Sequence, residues 1–168
     1  MWAVLRNGRT ARWQVMDGQP LPGGFRLPEG MASFTMSEDA SKLVAWKPVD
    51  VRPWFGGVWE MSSSRPQFNF RFPFRLAEFS NDGHRLITSG HLDKSVKIWD
   101  ADQGHLNRSF QPEGEPHWAG LSGDGKRMLF TRADWNRRQP SLWNAESGAD
   151  RIDLPIQSQR AARAAMHP

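Results

Sequence analysis

Four tryptophans, Trp13, Trp59, Trp99 and Trp143, stand 46, 40 and 44 residues apart. Three of them are followed five residues later by a glycine (Gly18, Gly104, Gly148), and Trp59 has Ser64 in that place. A motif that returns four times in a 168-residue chain marks repeated supersecondary units. Each unit is too small to bury a core alone and must complete it against its neighbours. The clearest unit is "FSNDGHRLITSGHLDKSVKIWDADQG", Phe79 to Gly104. Ser80-Asn81-Asp82-Gly83 is turn chemistry, because Gly and Asx accept backbone angles that other residues resist. Leu86-Ile87-Thr88 and the alternating run Ser95 to Trp99 are short β-prone segments.

The same pattern returns in "LSGDGKRMLFTRADWNRRQPSLWNAESG", Leu121 to Gly148. Ser122, Asp124, Gly125, Arg127 and Met128 repeat Ser80, Asp82, Gly83, Arg85 and Leu86 at an offset of 42, and Trp143 and Gly148 follow at 44. The two added residues therefore fall between the second and third strands of the unit. A fainter copy runs from Met36 to Ser64, with Ser37, Asp39 and Leu43 in phase. "ARWQVMDG" holds a partial first copy, and "RAARAAMHP" has the spacing of an opening strand. Nine Trp, ten Phe, 15 Gly and 12 Pro, with no Tyr and no long 3.6-residue period, make the expected class all-β.

A repeat of 40 to 46 residues, four strands per beat and the Trp99-Asp100 pair resemble the WD-repeat β-propeller family. The resemblance covers essentially the whole chain and implies four-stranded antiparallel blades, expected as an open arc rather than a closed ring. The blades are placed at 1–30 (incomplete), 31–75, 76–115 and 116–160, with the first strand of a further blade at 161–168. Trp13, Trp59, Trp99 and Trp143 are structural repeat positions, as are Asp39, Asp82 and Asp124 in the turns and Asp93 and Asp100. The family often links a His, a Ser or Thr and an Asp to the Trp. Here Asp93 and Trp99 fill two of those roles, Thr88 or Ser89 is the third, and Phe70 stands at the His position. Trp-Asp becomes Trp13-Gln14, Trp59-Glu60 and Trp143-Asn144 elsewhere. Exposed blade edges make self-association an expected property.

No chemistry stands out. The chain has no cysteine, which removes disulfides and thiolate chemistry, and His84, His91, His105, His117 and His167 show no ligand spacing. The turn aspartates recur in phase without a partner base, so they read as structural. No enzyme, cofactor or metal site is expected. No apolar run nears the roughly 20 residues of a membrane helix, and "MWAVLRNGRTAR" meets charge after five residues. The expected location is the cytoplasm, with no membrane partner.

Insertions mark loops on a binding face. The loop between second and third strands is expanded in "WKPVDVRPWFGG" and "ADWNRRQP", which flank the third unit. They bring Arg52, Trp54, Phe55, Trp135, Arg137 and Arg138 to one face, with His91 and Lys94 between. Trp and Arg lead at binding hot spots. The expected function is a non-catalytic protein-interaction scaffold, and the net charge of +4 favours an acidic protein partner. Two alternatives stand beside it: nucleic-acid binding by the Arg-rich face, and a regulatory or sensor part of a larger multidomain enzyme. "RPQFNFRFPFR", Arg65 to Arg75, has the composition of a base-stacking platform. Its alternating Phe68, Phe70, Phe72 and Phe74 are better explained as the cover of a sheet face, which disfavours nucleic acid.

Overall fold

In the computed structural model, the described residues are 2–4, 9–13, 16–17, 19–21, 24, 26–63, 65–132 and 140–155. Among them every regular element is a strand, and successive strands pair antiparallel in chain order. The first sheet holds β1 (Trp2–Val4), β2 (Thr10–Trp13) and β3 (Pro20–Leu21). The second holds β4 (Ser33–Met36), β5 (Lys42–Trp46), β6 (Gly56–Glu60) and β7 (Arg65–Phe70). The third holds β8 (Phe74–Phe79), β9 (Arg85–Gly90), β10 (Val96–Asp100) and β11 (Leu106–Phe110). The fourth holds β12 (Pro116–Leu121), β13 (Arg127–Arg132), β14 (Ser141–Asn144) and β15 (Ile152–Asp153).

The phased tryptophans occupy one register. Trp59, Trp99 and Trp143 lie in third strands opposite Leu43, Leu86 and Met128 of the second strands. The second sheet touches the third through β4 and β8, and the third touches the fourth through β8, β9 and β12. First strands therefore crowd together and the sheets fan outwards. Among the described residues no sheet closes on itself. The expected strand near 161–166 lies outside the described residues.

Two turns recur because the same side chains satisfy the same amides. Between first and second strands, the hydroxyls of Ser37, Ser80 and Ser122 each donate to Asp39, Asp82 and Asp124 at 2.6 Å. Those carboxylates accept the amides of Ser41, His84 and Lys126 at 3.0 Å. The Ser37 hydroxyl, followed by the Ser41 amide, holds the Asp39 carboxyl down to about 2. Between third and fourth strands, Asp100 Oδ1 accepts the amides of Asp102 and Gln103 at 2.9 and 2.7 Å. Asn144 Oδ1 does the same for Glu146 and Ser147 at 2.9 and 3.1 Å. The exchange of Asp for Asn after the tryptophan thus keeps the cap, since one side-chain oxygen is all it needs. Gly104 and Gly148 close these turns at φ of 73° and 72°, where a β-carbon is disfavoured.

Cores lie between sheets, not within them. Val44, Trp46, Val58 and Phe70 meet Phe74, Ala77, Leu86 and Ala101 at the second junction. Ile87, Val96 and Ile98 meet Ala119, Leu121, Met128, Phe130 and Ala145 at the third. Adjacent residues Leu86 and Ile87 serve opposite faces, so β9 is buried without a break from Leu86 to Gly90, as a strand covered on both sides is. Polar clasps cross the same junctions. Lys42 Nζ donates to the Gly83 carbonyl at 3.0 Å and pairs with Asp102 at 2.9 Å. One unit later, Arg85 Nη1 donates to the Gly125 carbonyl at 2.8 Å, and Nη2 stands 3.6 Å from Glu146.

The polar network around Trp99 is resolved in part. Its indole Nε1 donates to Thr88 Oγ1 at 3.0 Å, whereas the buried Ser89 hydroxyl has no partner. Asp93 instead accepts the Ser95 amide at 3.1 Å and the Lys97 ammonium. Phe70 packs edge-on against Trp99, with centroids 5.0 Å apart, and Phe72 stacks on it at 5.5 Å. An aromatic cage thus surrounds the indole, with Phe70 at the position where the WD-repeat resemblance implies a histidine. In the fourth sheet, Phe130 takes the place of Thr88, and Trp143 Nε1 is left without an acceptor.

Candidate interaction surface

The loops joining second to third strands emerge together at one end of the fan. In the second sheet that loop is 47–55, between β5 and β6. Arg52 is exposed and its guanidinium lies 4.5 Å from the Trp54 ring centroid. The Trp54 indole donates to the Val49 carbonyl at 2.9 Å, so its polar edge is tied into its own loop while part of the ring stays accessible. Phe55 is half-buried and packs towards Leu43, Trp59 and Met61. Of this trio, Arg52 and Trp54 form the presented pair and Phe55 anchors the loop.

His91 and Lys94 lie in the loop between β9 and β10. Lys94 is exposed at a φ of 52°. His91 is half-buried: Arg75 Nε donates to its Nδ1 at 2.7 Å, and Arg75 also pairs with Glu115 at 3.2 Å. This link ties the third sheet to the start of the fourth. Sequence reasoning missed Arg75 and the exposed Arg71 beside it. Both sit where "RFPFR" carries the chain from β7 to β8, at the same end of the fan. Trp135, Arg137 and Arg138 lie outside the described residues, and so does the side chain of Trp13. Among the described residues at this end, Arg52, Arg71 and Lys94 are exposed cations without an ion pair, whereas Glu115 offsets Arg75.

Phe68, Phe70, Phe72 and Phe74 pack on one another with centroids 5.2 to 5.6 Å apart. Trp46 closes the group at 5.4 Å from Phe74. Rings engaged in this way are core, not a platform for bases. Among the described residues no group of three or more His, Asp or Glu could hold a metal ion, and no helix is long and apolar enough to cross a membrane.

No protein-family model matches the chain, and no curated protein sequence matches it. Among solved structures it is similar to the β-propeller domain of Cps50 (Swd1) from Myceliophteria thermophila. The TM-score is 0.61 at 16% identity, over 77% of this chain and 38% of that one. The chain has the fold of WD-repeat propeller blades. It spans 38% of the length of that propeller. The four sheets are its blades, and the loops of 47–55 and 91–95 share one rim.

Proposed function

We propose that these blades are a non-catalytic scaffold in the cytoplasm, docking an acidic segment of a protein partner across the rim that carries Arg52, Trp54, Lys94 and Arg71. The observation that carries the reading is the Arg52–Trp54 stack. It holds a cation and a partly open indole side by side on an inserted loop, with the indole N–H already satisfied by Val49. A partner therefore meets an aromatic face and a charge without having to desolvate a free donor, which suits a hot spot. Phe55 and His91 act from behind, fixing the loops through the core and through Arg75. Trp135, Arg137 and Arg138 would extend the rim across the fourth blade.

The test places a photo-crosslinking residue at Lys94, identifies the captured protein and measures its affinity for wild-type chain and for Trp54→Ala. The expected loss is about tenfold or more, equivalent to about 1.4 kcal/mol, with the unfolding midpoint nearly unchanged. Unchanged affinity with a large drop in stability would make Trp54 a plug of its own loop and overturn the reading. Binding that falls steeply with salt and is competed by random single-stranded DNA would assign the face to nucleic acid instead.

A further inference from the structure

The second and third blade junctions are built alike, with one difference. In both, a fourth-strand residue pairs with the apolar residue immediately before the phased tryptophan: Phe68 opposite Val58, and Arg108 opposite Ile98. At the second junction the Phe68 ring packs into the core with Val58 and Ala101, and lies against Gly104. At the third junction Arg108 stands in that place. A guanidinium gains nothing from an apolar floor, and Arg108 Nε turns to the Glu146 carbonyl at 2.8 Å. Phe110, further along β11, is the ring that lies against Gly148. Beside Arg108 an open cleft of about 330 Å³ is lined by Arg85, Ile98, Asn107, Arg108, Ala145 and Glu146. It lies by the turns between third and fourth strands, at the opposite end of the blades from the Arg52–Trp54 rim.

The lining is selective. Ile98 and Ala145 make a buried apolar floor. Arg85 uses one nitrogen on the Gly125 carbonyl and holds the Glu146 carboxylate only at 3.6 Å. Arg108 has no carboxylate partner among the described residues, and Asn107 adds an exposed amide. Two guanidiniums against one carboxylate leave a single positive charge, which matches a monoanion better than a phosphate dianion. Guanidinium forks bind carboxylates bidentately, and the floor accepts the methylenes that carry one.

We infer that this cavity binds a carboxylate on a short aliphatic stem, the glutamate side chain of a partner polypeptide. It is a second site, independent of the rim, and its failure would leave the rim reading standing. The experiment titrates full-length chain with butyrate, with a capped tripeptide that has a central glutamate and with inorganic phosphate. It follows the Arg108 Nε–H and Asn107 amide NMR signals. Butyrate and the peptide are expected to shift both signals saturably, the peptide about tenfold more tightly and phosphate more weakly. Arg108→Phe, which restores the ring found at the second junction, should abolish the effect on Asn107 and keep or raise the unfolding midpoint. Arg108→Ala should weaken binding by about tenfold while leaving the cavity open, a loss of about 1.4 kcal/mol. Shifts that do not saturate, binding that survives Arg108→Phe, or phosphate bound more tightly would overturn the site. Butyrate bound as tightly as the peptide would overturn the polypeptide assignment.

Discussion

Replacing Gly104 with Ala tests how tightly one blade is seated on the next. The backbone there has a φ of 73°, and a β-carbon would lie 2.5 Å from Phe68 Cγ and 2.9 Å from Cβ and Cδ1 of the same side chain. A β-carbon in the left-handed region costs about 1–2 kcal/mol. Forcing Phe68 out of a packed junction adds about 1–3 kcal/mol, so the loss should be about 2–5 kcal/mol. Gly125→Ala is the control, because its φ is 66° and its nearest neighbour is the Arg85 side chain at 3.0 Å, which can move. It should cost only about 1–2 kcal/mol. Urea unfolding followed by tryptophan fluorescence measures both. In a Phe68→Ala background the cost of Gly104→Ala should fall to that of the control, a coupling within the range for residues in contact. Equal losses for the two glycine variants in the wild-type background, or no change on removing Phe68, would show that the wedge is not seated as described.

Lys42→Met should cost about 1–3 kcal/mol by leaving the Gly83 carbonyl and Asp102 without their ammonium. Arg127→Met, at the equivalent position of the fourth blade but exposed, should stay within about 0.5 kcal/mol; equal effects would refute the clasp. Acid should weaken the fold through the turn carboxylates. The folded pKa of Asp39 is depressed to about 2 and that of Asp124 is lowered by the Ser122 hydroxyl. Their stabilisation is therefore present above the ordinary carboxylate range and lost as pH falls through it towards 2. Asp39→Asn should narrow the gap in urea midpoint between neutral and acid solution, and an unchanged gap would rule the turn out as its source.

The blades were legible because their turns are local. Ser80, Asp82 and Gly83 satisfy one another within a few residues, so the pattern survives in a single sequence and repeats in phase. The Trp99-Asp100 pair was legible for the same reason, because Asp100 caps the turn that follows it. The contrast between Phe68 and Arg108 was not. Both blades carry an irregularity between third and fourth strands, at Val58/Trp59 and Ile98/Trp99. Phe68 and Arg108 both stand nine residues after the phased tryptophan, but only the packing shows what each side chain meets. The cage of Phe70 and Phe72 around Trp99 was half-visible: the sequence marked Phe70 as a departure, but not that its ring would replace a polar network. At the rim, loop length pointed to Arg52 and Trp54, and a place between the two insertions pointed to His91 and Lys94. The bond from Trp54 to Val49 and the link from Arg75 through His91 to Glu115 depend on side-chain directions that spacing does not encode.

The clasps at Lys42 and Arg85 always run one way, with the cation on the earlier blade and the glycine carbonyl and carboxylate on the later one. Such a joint is polar like a brick with a stud on one side and a socket on the other, and it carries no information about how many bricks belong in the wall. Joints of this heterologous kind form rings only where the accumulated rotation happens to close. Blade number is therefore decided by geometry summed over the whole molecule, not by any residue at a single junction. A unit duplicated or lost in the gene leaves every surviving joint chemically intact.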